Sequence, residues 1–351
     1  MLTNLDILQN IWLKSLICLA SSYLIGYFSI AKFLAYVNNK QICRQPIRTE
    51  GPESHIKTKK NTPTMGGIFI ILATALSTLL FLNLENSYIL VTLLVFISFG
   101  LIGLTDDLLK VVYKNPKGFR GSVKLIIQFI IIGIAFLWLG HIDMVHFDNK
   151  IFFPIGRGHS ITLDTVIYVL FVIFVIVGTS NSVNLTDGLD GLVSVPAVIN
   201  LICLTILIYA AANQDLSLKF LVPNIQDSQE LIFFCLSLIG AILAFLTFNL
   251  KPAKIFMGDV GSLAIGAVLG LIAIIIKEEF VFFIISLLFV TESVSVILQV
   301  GSYKLRKKRI FLMAPIHHHF EKLGWSEKKV VSRFWMASLL FAILGMGIFL
   351  A

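Results

Sequence analysis

The chain has 351 residues, 57% of them hydrophobic and 14% charged, with a mean hydropathy of +0.90 and a formal net charge of +8. Soluble domains carry about 25% charged residues, so this composition excludes a single water-soluble core. The apolar residues fall in long blocks, many beyond the roughly 18 residues that mark a bilayer-spanning helix, which points to an all-α polytopic membrane protein. Cys18, Cys203 and Cys235 lie inside apolar blocks and Cys43 in a basic loop, a spacing that suggests neither a disulfide framework nor a zinc site.

Ten transmembrane spans are expected, over residues 15–37, 64–83, 88–105, 123–140, 163–180, 190–212, 230–249, 259–276, 280–302 and 332–350. The first block is preceded by almost no positive charge and lacks a small-residue cleavage site, so it reads as a retained helix rather than a signal peptide. Little remains for anything but loops, and residues 1–351 are expected to form one integral membrane domain with its site on the cytoplasmic loops. Lys and Arg set the orientation of such a chain. Loops after odd-numbered spans hold 22 of the 28, the N-terminal segment and the even-numbered loops hold 5, and Lys32 lies within the first span. Odd loops are therefore expected in the cytoplasm and both termini on the outer, periplasmic side, with most of the basic charge serving as anchors on an anionic leaflet.

The first cytoplasmic loop ends in Lys59-Lys60-Asn61-Thr62-Pro63-Thr64-Met65-Gly66-Gly67. Pro63 suits the first turn of a helix, and free N–H groups there, flanked by Lys, would attract an anion. The third span ends in Asp106-Asp107, adjacent acids that need a cation, a proton or a nearby Lys to be tolerated. After the fifth span comes Asn181-Ser182-Val183-Asn184-Leu185-Thr186-Asp187-Gly188-Leu189-Asp190-Gly191, which has no Lys or Arg and so no topogenic explanation. A helix beginning near Thr186 would put Asp187 and Asp190 on one face of its first turn.

The eighth span opens with Phe256-Met257-Gly258-Asp259-Val260-Gly261-Ser262, where a lone Asp is most simply an N-cap. Gly266 and Gly270 further on form a small-xxx-small pair suited to close helix packing. Glu292 is the main charge within a span, expected as a packed polar residue near a helix break. Pro315-Ile316-His317-His318-His319-Phe320-Glu321 follows the ninth span. Consecutive His side chains in a helix diverge by about 100° and lack the i, i+4 spacing of paired zinc ligands, which favours hydrogen bonds to phosphates over a metal cluster. His317 is expected to point away from the other two.

Asp106, Asp107, Asp187, Asp190, Asp259 and the His run are all expected at cytoplasmic ends of different spans. Clustered carboxylates imply a hard divalent cation, best Mg²⁺, and Lys and His beside it imply a phosphorylated substrate. Two other classes stay open. A secondary transporter also places acids near helix ends, although its sites usually lie at the midplane on broken helices; a structural or lipid-binding membrane protein has no need of so many such groups on one face.

The segments Thr62–Gly67, Asp106-Asp107, Asn184–Gly191, Gly258–Ser262 and Pro315–Glu321 together closely resemble the MraY family, the phospho-N-acetylmuramoyl-pentapeptide-transferases of the polyprenyl-phosphate N-acetylhexosamine-1-phosphate transferase superfamily. The acidic motifs resemble the whole superfamily; the His run followed by Phe-Glu resembles the branch that uses UDP-N-acetylmuramoyl-pentapeptide. This resemblance implies a homodimer of ten-helix chains in the bacterial cytoplasmic (inner) membrane, dependent on Mg²⁺. It implies UDP-N-acetylmuramoyl-pentapeptide as donor, undecaprenyl phosphate as acceptor and lipid I plus UMP as products, the first membrane step of peptidoglycan synthesis, with no nucleic acid as partner. By the same resemblance Asp259 is the Mg²⁺ ligand, with Asp106 and Asp107 as further candidates, and these three with His318 are the catalytic group. Lys59, Thr64 and Lys124 hold phosphates; Asn181, Asn184, Asp187, Asp190 and Phe256 form the uridine and diphosphate pocket; His317 and His319 bind substrate. Asp106 or Asp107 could serve as a base, although a phosphate monoester with a second pKa near 6 needs no strong one, and direct transfer and an aspartyl-phosphate route both stay open.

Overall fold

The computed structural model describes residues 10–40, 62–112, 118–141, 149–153 and 159–351. Their helices are α1 (Ile11–Lys40), α2 (Gly67–Phe81), α3 (Ser87–Val112), α4 (Gly121–His141), α5 (Thr165–Thr186), α6 (Ser194–Ala212), α7 (Gln214–Phe220), α8 (Glu230–Asn249), α9 (Gly258–Ile275), α10 (Glu279–Ile285), α11 (Leu287–Arg306), α12 (Ile316–Lys322) and α13 (Glu327–Leu350). Before α5, strands β1 (Lys150–Phe152) and β2 (Ser160–Thr162) form an antiparallel hairpin with Ile151 opposite Ile161.

Eight of the described helices are long and apolar enough to cross a membrane, and α10 with α11, bent by 77° at the break around Ser286, make a ninth. All ten expected blocks are helical. The second, α2, has only 15 residues, about 22 Å of helix at 1.5 Å per residue, short of the roughly 30 Å hydrocarbon layer. The chain is a mostly helical protein with eight or nine candidate membrane-crossing helices, consistent with a polytopic all-α membrane protein.

At the bundle's centre is α9, where every residue from Val260 to Ile275 is buried. It packs chiefly on α3 and α5. Gly266 and Gly270 make the second contact: a Cβ at either would lie 2.6 Å from Ser180 Cα or 2.9 Å from Ile176 Cα on α5. The small pair thus lets two backbones touch, which in a bilayer is where helix association finds its packing energy. Around this axis α1 lies along α8 and α2, and α13 closes against α6, α10 and α11.

One end of the bundle is tied by Lys14 Nζ to Glu230 Oε1 at 2.7 Å, by Asn83 N–H to Glu230 Oε2 at 3.1 Å and by Asn86 Nδ2 to the Asp227 carbonyl at 2.8 Å. The opposite end carries the motif residues. Three boundaries there differ from expectation. Helix α3 runs on to Val112, so Asp106 and Asp107 lie within its last two turns; α5 runs on to Thr186, so Asn181 and Asn184 are helical and Asp187 is its C-cap; α13 begins at Glu327, capped by Ser326. In each case polar side chains extend a helix past its apolar stretch because neighbouring elements satisfy them.

Candidate active site

Asp106 and Asp107 are buried at the end of α3, and Asp259 in the first turn of α9 comes to meet them. One oxygen from each of the three lies within 4.8 Å of the others. Lys110, one helical turn beyond the acids, reaches all of them: Nζ is 2.7 Å from Asp106 Oδ2, 3.6 Å from Asp107 Oδ1 and 3.0 Å from Asp259 Oδ2. From the start of α4, Lys124 Nζ stands 2.8 Å from Asp259 Oδ2 and 3.7 Å from Asp106 Oδ2. Backbone groups finish the arrangement, with Phe119 N–H donating to Asp106 Oδ1 at 2.5 Å and Val260 N–H to Asp107 Oδ2 at 3.2 Å. Burial of such charges is tolerable only when they are paired and hydrogen-bonded in this way.

Asp259 is therefore not an N-cap. The N-cap of α9 is Met257, without a side-chain hydrogen bond, and the Asp259 carboxylate points instead to the two lysines and to Asn184, whose Nδ2 donates to Asp259 Oδ1 at 2.9 Å and to Ser262 Oγ at 2.9 Å. Three carboxylates against two ammonium groups leave one formal negative charge. An all-oxygen set of this spread suits a hard divalent ion, and such an ion and Lys110 would address the same oxygens.

The loop before α2 corrects a second expectation. Pro63 lies outside the helix; its carbonyl accepts from Phe256 N–H at 2.9 Å, while Gly66 and Gly67 N–H donate to the carbonyls of Phe256 and Met257 at 2.8 and 2.9 Å. These amides are spent on pairing two chain segments, so they form no free anion nest. Thr64 is buried beside Gly258 with no hydrogen-bond partner for its Oγ1 among the described residues. Lys59 lies outside the described residues.

Asp187 and Asp190 do not share a helical face, since residues 187–193 form turns between α5 and α6. Asp190 Oδ2 accepts from Ala253 N–H at 3.1 Å and its own N–H donates to Glu327 Oε1 at 3.0 Å, while Gly191 N–H donates to Asn249 Oδ1 at 2.9 Å. These bonds join the α5–α6 turn to the α8–α9 connection and to the start of α13. Asn181 Nδ2 is held by Gln128 Oε1 at 3.0 Å and the Val177 carbonyl at 2.8 Å.

The three histidines of α12 meet different partners but do not all diverge, since the His317 and His318 rings lie 4.1 Å apart, centroid to centroid. His318 Nδ1 meets Glu321 Oε2 at 2.7 Å, and His319 Nδ1 accepts from Leu312 N–H at 3.1 Å. His317 is the surprise: instead of pointing away it is fully buried, its Nδ1 3.0 Å from Glu292 Oε1 on α11. Glu292 is the packed polar residue expected, six residues beyond the break at Ser286.

Lys110 joins the acids at this centre, although its place in a basic stretch of the sequence marks it only as topogenic. Its i+3 and i+4 spacing from Asp107 and Asp106 was the available signal. Gln128 and Glu327 carried none, because their partners come from distant elements.

Fold and site together define an integral membrane protein with a dense acid–lysine centre at its helix ends, and the family described as Glycosyl transferase family 4 matches residues 88–277. The phospho-N-acetylmuramoyl-pentapeptide-transferase signature 1 matches residues 59–71. Proteins named phospho-N-acetylmuramoyl-pentapeptide-transferase are similar along almost the entire chain: one from Rickettsia prowazekii is 48% identical over 336 residues, 95% of this chain and 91% of its own. Another from Francisella philomiragia is 46% identical over 329 residues, 93% and 90%, and one from Neisseria meningitidis serogroup C is 42% identical over 350 residues, 99% and 96%. The chain belongs to the phospho-N-acetylmuramoyl-pentapeptide-transferase family, and of the classes open at the outset it is the transferase.

Proposed function

We propose that the protein transfers phospho-N-acetylmuramoyl-pentapeptide from its UDP-linked form to undecaprenyl phosphate, giving lipid I and UMP, at the cytoplasmic face of a bacterial inner membrane. The observation that carries this reading is the meeting of Asp106, Asp107 and Asp259 with Lys110 and Lys124 at one end of the bundle. In the reaction an oxygen of the lipid phosphate bonds to the β-phosphorus, the bond from that phosphorus to the bridging oxygen breaks, and UMP leaves with the bridging oxygen. Charge on the transferring phosphoryl needs fixed cations around it. Lys110 and Lys124 supply two, at positions set by the carboxylates, and Asn184 keeps Asp259 turned toward them.

Asp259, with Asp106 and Asp107, would hold Mg²⁺, which when bound neutralises charge on the phosphate oxygens. The lipid phosphate is ionised near neutral pH, so none of the acids is required as a strong base. Thr64, whose buried hydroxyl has no hydrogen-bond partner among the described residues, and Lys59 serve the phosphates; Asn181, Asn184, Asp187, Asp190 and Phe256 line or shape the nucleotide side; His318 and His319 serve the sugar-phosphate end. The 22 to 5 division of Lys and Arg supports placing this end in the cytoplasm, with ten passes and a homodimer as in the family resemblance. The test is release of UMP by purified protein in lipid. Release should depend on undecaprenyl phosphate, stop on chelation and return with Mg²⁺; release indifferent to the lipid phosphate would overturn the reading.

A further inference from the structure

Glu292 is buried completely within a membrane helix, and its carboxylate meets an equally buried imidazole, that of His317. Glu292 Oε2 and His317 Nε2 have no hydrogen-bond partner among the described residues. Burying such a pair rarely adds stability over an apolar pair of similar size, so its position calls for another explanation.

The far edge of the His317 ring gives one. A Cβ built on Gly188 would lie 2.3 Å from His317 Nε2 and 2.9 Å from its Cε1, so the imidazole fills the space that a side chain at residue 188 would take. Gly188 follows Asp187 directly in the α5–α6 turn. The His317 ring also lies 4.1 Å, centroid to centroid, from the ring of His318. One residue after Glu292, Ser293 Oγ donates to Ser182 Oγ at 2.7 Å, which fixes α11 against α5 just before that turn.

We infer that Glu292 is a positioning residue for the nucleotide side of the site: by fixing the His317 ring against the Asp187-Gly188 turn, it sets the turn against which the nucleotide binds. The inference rests on the transferase reading for the identity of that nucleotide. Neither Glu292 nor His317 touches substrate in this account; both act through the turn, as partners behind direct ligands do elsewhere at a cost of about 10- to 100-fold when removed.

The test compares Glu292→Leu, Glu292→Gln and Gly188→Ala with wild type by calorimetric titration with UDP and by the KM for each substrate. Glu292→Leu, which leaves Nδ1 without an acceptor, should weaken UDP binding and raise the KM of the nucleotide sugar about tenfold, with the KM of the lipid phosphate unmoved. Glu292→Gln retains an acceptor for Nδ1 and should restore UDP affinity to within about threefold. Gly188→Ala pushes on the same ring from the opposite side and should reproduce the leucine phenotype with Glu292 intact, so it decides the matter even if Glu292→Leu fails to fold. Wild-type UDP affinity in Gly188→Ala, or equal losses in the leucine and glutamine variants, would overturn the inference. A wild-type protein that binds no UDP would instead overturn the nucleotide reading on which it rests.

Discussion

Gly103 on α3 lies directly against the backbone of Asp259 on α9: a Cβ there would stand 2.2 Å from the Asp259 carbonyl oxygen and 2.4 Å from Val260 N. Because both contacts are backbone, no rotamer change relieves them. Gly103→Ala should separate the two helices that bring the acids together, costing roughly 1–3 kcal/mol as overpacking does and lowering transfer by more than the loss of fold explains. Thermal unfolding and activity measured together check this. Gly121→Ala is the control, since among the described residues nothing lies within 4 Å of a Cβ at that position, and it should behave as wild type.

Lys110 binds the same oxygens that a divalent ion would use. Replacing it by Met leaves the three carboxylates with Lys124 as their one ammonium partner among the described residues, a more negative centre. Lys110→Met should therefore bind Mn²⁺, as a spectroscopic stand-in for Mg²⁺, more tightly than wild type by about tenfold, yet transfer phosphate at least tenfold more slowly for want of a fixed cation on the phosphoryl group. Electron paramagnetic resonance titration gives the first quantity and UMP release the second; weaker metal binding would show that Lys110 supports the ion rather than competing with it.

The side chains of His318 and His319 leave α12 in different directions, one toward Glu321 and one toward the Leu312 amide. Neither geometry gathers imidazoles on one ion. His318→Ala and His319→Ala should each lose activity on the order of 10², without rescue by zinc. Elemental analysis of the wild-type protein should find no stoichiometric zinc, and one zinc per chain that vanished in both variants would replace the phosphate-contact reading.

Much of this molecule was legible before its structure. Long apolar blocks gave the helices, because a bilayer demands them, and the acids stood out because no topogenic role explains an Asp at the end of a span. What sequence concealed was chiefly of two kinds. Helix ends ran past the apolar stretch, as at Val112 and Thr186, because Lys110 and Asn184 found partners on other elements. Pairings between distant segments left no local pattern: Pro63 with Phe256, Asp190 with Ala253 and His317 with Glu292 are set by packing alone.

Sidedness gives a labelling prediction. In a Cys43→Ser background, Cys placed at the exposed Glu85 should react with a membrane-impermeant maleimide from outside intact cells, and Cys at the exposed Lys308 should react only after permeabilisation. The reversed pattern would put the acid–lysine centre on the wrong face for a cytoplasmic nucleotide.

The choice of sugar nucleotide separates the muramoyl-pentapeptide reading from transfer of N-acetylglucosamine phosphate. The direct measurement supplies purified protein with undecaprenyl phosphate and Mg²⁺, offers UDP-N-acetylmuramoyl-pentapeptide and UDP-N-acetylglucosamine in parallel, and follows UMP and the lipid-linked product by mass spectrometry. UMP and lipid I are expected with the muramoyl-pentapeptide donor, and no lipid-linked sugar with the other. Lipid-linked N-acetylglucosamine, or no lipid product from either donor, would contradict the muramoyl-pentapeptide reading.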